Sequence, residues 1–266
     1  MSSLINGQPD ECINLQDRGL QYGDGLFETI RIDRGEPQYW SAHLRRLQLG
    51  CEKLNLMFPG ENVLQADVAS LVSTENSGTL KVVVTRGVGQ RGYRAVDTQP
   101  SRIVSFYPQQ SSPERFKTAH LCMCKHRLGI NPALAGIKHL NRLEQVLARA
   151  EWEDEYDEGI MLDMEGRVIE GTMSNLFLVN DGVLITPELT RCGVAGIMRE
   201  QILEKVKALN ITLKIRDIQP AELRQADEMF LSNSIIGIWP VGTFEGHSMA
   251  IGSITESLMQ SLGLPC

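Results

Sequence analysis

The feature that most constrains this chain is a lysine near its midpoint, Lys138, set in the run Ala135-Gly-Ile-Lys-His-Leu-Asn-Arg-Leu-Glu-Gln-Val146. Upstream, Gly129, Pro132 and Gly136 punctuate the backbone. Downstream, Leu140, Leu143, Val146, Leu147 and Ala150 recur at helical spacing. That pattern predicts a buried amphipathic helix opening just after Lys138 and running to about Glu153. An amine held at a loop-to-helix junction loses solvent, which favours its neutral, nucleophilic form. Taken alone, the spacing favours a surface lysine, so the argument turns on the residues elsewhere in the chain.

The composition narrows the classes. With 266 residues, 42% of them hydrophobic, the chain can build one large or two modest domains. A formal charge of -7 argues against a nucleic-acid surface. No apolar run reaches the length of a membrane span, and the start Met1-Ser-Ser-Leu-Ile-Asn6 lacks the pattern of a signal peptide. A reducing cytoplasm with free thiols is the expectation. His120, Cys122, Cys124 and His126 invite a zinc reading, but their period-two spacing implies one face of a strand. Same-face neighbours there lie about 6.5 Å apart, so four of them cannot converge on one tetrahedral ion. No metal site is expected.

Along the chain, Gly25–Asp33 reads as a strand, Asp33–Glu36 as a hairpin turn and Gln38–Trp40 as the returning strand. Helices are predicted from about Ser41, which can serve as an N-cap, and over Glu61–Glu75. Strands Leu80–Arg86 and Ile103–Tyr107 follow. Between them, Arg86-Gly-Val-Gly-Gln-Arg-Gly-Tyr-Arg94 is glycine-rich and basic. It lacks the Gly-Lys-Ser ending and following helix of a nucleotide loop, and reads better as a mobile loop whose arginines hold carboxylates. Residues 1–108 form a small N-terminal α+β domain, 109–114 a Ser/Gln/Pro-rich linker, and 115–266 a larger C-terminal α+β domain that includes Lys138. In that second part, strand Lys117–Lys125 leads to the lysine, and turns fall at Met164–Arg167 and Asn180–Gly182. A helix over Ile197–Leu209 follows, then strands at Thr212–Ile218 and Glu228–Leu231 with a short helix Pro220–Gln225 between them.

Three stretches complete the pattern. Glu170-Gly-Thr-Met-Ser-Asn-Leu-Phe177 ends a strand on an acid. Gly193-Val-Ala-Gly-Ile-Met-Arg199 opens a helix with two glycines, leaving N–H groups for an anion. Ser232-Asn-Ser-Ile235 offers hydroxyl and amide donors after an apolar strand. Together with His43-Leu-Arg-Arg-Leu47 and Asp17-Arg-Gly-Leu-Gln-Tyr-Gly-Asp-Gly-Leu-Phe-Glu-Thr-Ile-Arg31, they resemble the fold-type IV pyridoxal-phosphate enzymes. That group holds the branched-chain and D-amino-acid aminotransferases and the lyases that cleave 4-amino-4-deoxychorismate. Gly136–Gln145 and Arg86–Tyr93 are most similar to the lyases.

The resemblance covers nearly the whole chain and implies a two-domain α+β fold with pyridoxal 5′-phosphate between the domains. It implies that Lys138 binds the cofactor covalently and shuttles protons, and that Glu170 binds the pyridinium nitrogen. Arg46 would pair with the phosphate in a forked contact, the family's spacing before Leu47 selecting it over Arg45. The amides of Ile197 and Met198 and the Ser234 hydroxyl would assist, and Val194 would pack on the ring. Thr29, Arg91, Tyr93 and Asn233 would face the substrate, with Thr29 as proton donor. The implied reaction is elimination of pyruvate from 4-amino-4-deoxychorismate to give 4-aminobenzoate for folate biosynthesis, in a cytoplasmic homodimer supplied by a separate amidotransferase synthase. A D-amino-acid or branched-chain aminotransferase is the alternative on the same fold.

Overall fold

The computed structural model describes residues 2–109 and 118–264. The described chain falls into two units. The first holds residues up to 109 together with Ile137–Asn141, and the second holds 118–136 and the residues from Arg142 onward. Lys138 thus packs with the first unit, although chain order alone had assigned it to the C-terminal domain. Most of the expected linker, 109–114, lies outside the described residues.

The first unit contains β1 Ser2–Ile5, β2 Gln8–Pro9, α1 Arg18–Tyr22, β3 Gly25–Asp33 and β4 Glu36–Pro37. It continues with α2 Trp40–Lys53, α3 Glu61–Leu71, β5 Gly78–Thr85 and β6 Ser101–Pro108. Its six strands form one sheet in the order β2-β1-β6-β5-β3-β4. Alternation along β3 buries Leu26, Glu28, Ile30 and Ile32 while Phe27, Thr29 and Arg31 stay half-buried on the other face. The buried face meets Leu80, Val82 and Val84 of β5, with Leu44, Leu47 and Cys51 of α2 also in the core. Each such apolar side chain contributes about 1.5–3 kcal/mol by leaving water. The turn into β4 places Arg34 at φ 49° and Gly35 at φ 81°, the doubly left-handed geometry that a two-residue hairpin favours.

The second unit contains β7 Ala119–Leu128, α4 Leu143–Arg149, β8 Glu158–Asp163, β9 Val168–Gly171, β10 Asn175–Asn180 and β11 Val183–Pro187. It ends with α5 Ile197–Ala208, β12 Thr212–Arg216, α6 Pro220–Leu223, β13 Glu228–Asn233, β14 Gly237–Phe244, β15 His247–Ser248 and α7 Ser253–Ser261. Pairing runs β10-β13-β14-β7-β8-β9, and β9 returns to β10, so six strands close a ring. β11 and β12 extend from β10 as a flap. Leu121, Ile160, Leu176, Leu178, Leu231, Val241 and Phe244 fill one core cluster.

Several expectations are corrected. The lysine does not open a helix directly: α4 begins at Leu143, and Leu143, Val146 and Leu147 on it are exposed while Ala148 is buried. The helical periodicity was real, but within one chain its apolar stripe faces outward. Helix α2 starts at Trp40 after Tyr39 in a left-handed conformation, with no side-chain cap, so Ser41 is an interior helix residue. The returning strand is Glu36–Pro37 rather than Gln38–Trp40. Helix α1, strand β14 and helix α7 were not foreseen. On β7 the register slips after Met123. His120 bonds Thr243 Oγ1 at 2.9 Å, and burial pushes the Cys122 thiol up to about 11, with Cys124 raised likewise. These thiols stay protonated.

Candidate active site

In the first unit, residues 137–141 run alongside the start of β3 as a short antiparallel partner. Phe27 N–H donates to the Lys138 carbonyl at 2.9 Å, Leu140 N–H donates to the Gly25 carbonyl at 3.0 Å, and Leu26 bridges His139. Gly25 is required by this approach, because a Cβ there would lie 2.5 Å from the Val84 carbonyl oxygen and 2.8 Å from a Leu140 methyl. Asn141 Nδ2 fastens the end of the segment to the Gly23 carbonyl. The Lys138 amine sits 4.5 Å from the centre of the Phe27 ring, and Thr29 is the next side chain on the same face of β3. A lysine amine and a hydroxyl are therefore carried by paired backbones.

The opposite face of β3 carries Glu28, 2% exposed. His43 Nδ1 lies 2.6 Å from its Oε2. Arg46 grips it with Nε donating to Oε1 at 2.8 Å and Nη2 donating to Oε2 at 2.5 Å. Burial alone would raise this carboxyl, but the Arg46 charge and the hydrogen bonds from His43 and Arg46 prevail and lower it to about 2. The forked edge of Arg46, expected on a phosphate, is thus engaged by Glu28. Arg45 next to it is exposed.

In the second unit, Glu170 lies next to the end of β9, opposite Asn175 of β10. It is 4% exposed, and its Oε2 accepts Val194 N–H at 2.8 Å. Asn175 Nδ2 donates to the Val194 carbonyl at 2.8 Å. Gly136 and Val194 pair in parallel, so the loop before α5 is stitched to the strand end that bears Glu170. Burial lowers the guanidinium pKa of both Arg142 and Arg199, and the negative charge of Glu170 opposes the shift at each. Helix α5 follows Gly196 as its N-cap, with no side-chain cap. A Cβ on Gly196 would fall 2.0 Å from Asn175 Oδ1, which explains a glycine there. The N–H groups of Ile197 and Met198 find no acceptor among the described residues, the condition in which a helix start receives an anion.

Beneath the turn joining Glu170 to Asn175 lies Glu158, 1% exposed. Its Oε1 accepts the N–H groups of Gly159 and Thr172 and the Thr172 hydroxyl at 2.9, 3.0 and 2.5 Å. Its Oε2 accepts Met173 N–H at 3.1 Å and the Ser174 hydroxyl at 3.0 Å. Asn233 serves its own turn: its Oδ1 accepts the N–H groups of Ile235 and Ile236. Ser234 lies half-buried beside it. Arg91 and Tyr93 are exposed, on a loop whose backbone carbonyls accept hydrogen bonds from Arg18. Sequence reasoning missed Glu28, Glu158 and Arg18. The acid at a core-facing position of β3 was a legible signal for Glu28, whereas the other two depend on distant contacts.

Each unit presents groups whose chemistry suits a phosphorylated pyridine aldehyde: an amine beside an aromatic face in one, a buried carboxylate and an uncapped helix start in the other. The chain belongs to the class IV aminotransferase family, whose model matches residues 25–244. The family depends on pyridoxal 5′-phosphate.

Among its relatives, the chain is 36% identical to the aminodeoxychorismate lyase of Vibrio harveyi, over 97% of this chain and 98% of that one. The crystal structure of 4-amino-4-deoxychorismate lyase from Pseudomonas aeruginosa superposes with a TM-score of 0.92 at 45% identity, covering 98% and 97% of the two chains. A D-alanine aminotransferase of Listeria monocytogenes is 29% identical over 98% of this chain and 94% of its own. Among the described residues, no helix is long and apolar enough to cross a membrane.

Proposed function

We propose that the chain is an aminodeoxychorismate lyase, releasing pyruvate from 4-amino-4-deoxychorismate and leaving 4-aminobenzoate. The observation that carries this reading is the pairing of the Lys138 segment with β3, which puts the amine over Phe27 and a hydroxyl, Thr29, on the same face. Full-length similarity to two lyases supports it.

Bound pyridoxal phosphate supplies an aldehyde that takes up amines and a ring that draws electrons from the amine-bearing carbon. Lys138 would hold the cofactor covalently through its amine and would be the base that accepts the proton from the substrate's amine-bearing carbon. Glu170 keeps a proton on the ring nitrogen. The amides of Ile197 and Met198 with the Ser234 hydroxyl bind the phosphate, and Arg46 adds positive charge while its fork stays on Glu28. Val194 packs against the ring. As the enolpyruvyl ether departs, Thr29 delivers a proton to its methylene carbon, so one proton leaves the ring carbon and one reaches pyruvate. Arg91 attracts the substrate's carboxylates, with Tyr93 and Asn233 beside the substrate.

No amino acceptor enters this balance. The deciding experiment mixes purified holoenzyme with 4-amino-4-deoxychorismate, with and without 2-oxoglutarate. Pyruvate and 4-aminobenzoate at equal rates in both support the lyase. Turnover that requires the acceptor, or fast exchange with D-alanine or leucine in place of cleavage, assigns the chain to the aminotransferases. The exposed stripe Leu143, Val146 and Leu147 suits a homodimer, and the enzyme works in the cytoplasm, feeding folate biosynthesis.

A further inference from the structure

Arg18 is an arginine with an unusual set of duties. Its side chain is only 3% exposed, and its donors reach outward to one loop. Nη1 donates to the Gly92 carbonyl at 2.7 Å and, more weakly, to that of Gln90 at 3.4 Å; Nη2 donates to the Tyr93 carbonyl at 3.1 Å. Nε donates to Asp24 Oδ2 at 3.1 Å, the same oxygen that accepts Arg86 Nε at 2.7 Å. The guanidinium lies 4.7 Å from the centre of the Tyr22 ring, whose hydroxyl accepts Gly92 N–H at 3.0 Å. Arg18 N–H itself donates to the Gly87 carbonyl at 2.9 Å.

These contacts bracket one residue. The carbonyls on both sides of Arg91 are held, while the Arg91 side chain is exposed and has no hydrogen bond or ion pair among the described residues. A buried charge spent on backbone carbonyls is an expensive way to fix a loop, and it is placed where one exposed cation is presented. Holding a binding group before its ligand arrives saves the ordering cost at the moment of binding.

We propose that Arg18 is a positioning residue for substrate recognition: it sets the 90–93 backbone so that Arg91 meets the carboxylates of the substrate, without touching the substrate itself. This rests on the lyase reading, in which Arg91 takes that role.

The test is a double-mutant cycle on the holoenzyme with Arg18→Met, Arg91→Gln and the pair, reading pyruvate release, visible cofactor absorbance and amide exchange over residues 88–93. Arg18→Met should raise KM about tenfold or more with kcat within about threefold and absorbance unchanged, the pattern of lost ground-state binding. Exchange in the loop should quicken by about tenfold. Because Arg18 acts through Arg91, the pair should have a KM within about threefold of Arg91→Gln alone. Tyr22→Phe, which leaves Arg18 in place and removes one anchor of Gly92, should raise KM about two- to fivefold with kcat unchanged. It carries the test if Arg18→Met folds poorly. Multiplying KM effects in the pair, a fall in kcat without a rise in KM, or an unaltered KM in Arg91→Gln would each overturn the proposal. Wild-type protein that releases no pyruvate would instead overturn the functional reading beneath it.

Discussion

Replacing Glu28 with glutamine should unsettle the first unit in a way that depends on pH with a definite sign. In the folded chain the carboxyl is lowered from 4.5 to about 2, because Arg46 and His43 outweigh the effect of burial. Above pH 4.5 the carboxylate's full contribution is present; it fades as pH falls toward 2, where the folded state binds the proton as well. A shift of that size corresponds to about 3 kcal/mol. Glu28→Gln also removes the charged acceptor of the Arg46 fork, on a side chain only 9% exposed, and breaking a buried pair from one side costs about 3–5 kcal/mol. At pH 7 the variant should therefore be less stable by roughly that range. The gap should narrow by about 3 kcal/mol between pH 4.5 and 2. Trp40, in the same helix as His43 and Arg46, is the reporter; with Trp152 and Trp239 changed to Phe, urea unfolding can be followed from this unit alone. A wild-type minus variant difference that stays flat from pH 6 to 2.5 would refute the reasoning, since titrating groups remote from Glu28 cancel in the comparison.

Lys138→Ala should abolish the visible absorbance of the bound cofactor and nearly all turnover; retained absorbance and activity would remove the lysine from its role. Thr29→Ala should keep the absorbance and slow pyruvate release by about 10²- to 10⁴-fold, the range for a lost proton donor, and an unchanged rate would exclude the hydroxyl. Glu158→Gln should lower stability by about 1–3 kcal/mol, read as a fall in thermal midpoint of a few degrees. Either orientation of the amide turns its NH2 toward a backbone N–H that cannot rotate away, Met173 on one side or Gly159 and Thr172 on the other. A midpoint equal to wild type would mean that the turn does not need the charge.

What the sequence made legible was local chemistry with a period. Strand β3 appeared with its exact bounds because its alternation and the Asp-Arg-Gly turn agree. Helix α5 was readable from Gly193 and Gly196 and the apolar spacing that follows. The Glu170 strand end and the Lys138 segment were found through motifs spread over the whole chain. What escaped was decided by contacts far apart in sequence. Nothing near Lys138 says that it pairs with Gly25–Phe27, more than a hundred residues earlier, and the helical spacing after it pointed instead to a helix that starts only at Leu143. The sequence places the fork of Arg46 on a phosphate; among the described residues Glu28 accepts two of its donors, a contact that no local pattern announces. The loop from Arg86 to Arg94 reads as mobile because glycines dominate its text; the hydrogen bonds that Arg18 makes to its carbonyls come from a residue that no local pattern connects to it.

The lodging of residues 137–141 with the first unit means that the polypeptide passes between its units three times, with the Lys138 amine on the brief return visit. A gene cut just before that visit would part the amine from the strand that shelters it, and a cut just after it would part both from α4 and the strands of the second unit. Such an architecture resists modular exchange: replacing one unit whole means carrying a five-residue stitch along with it.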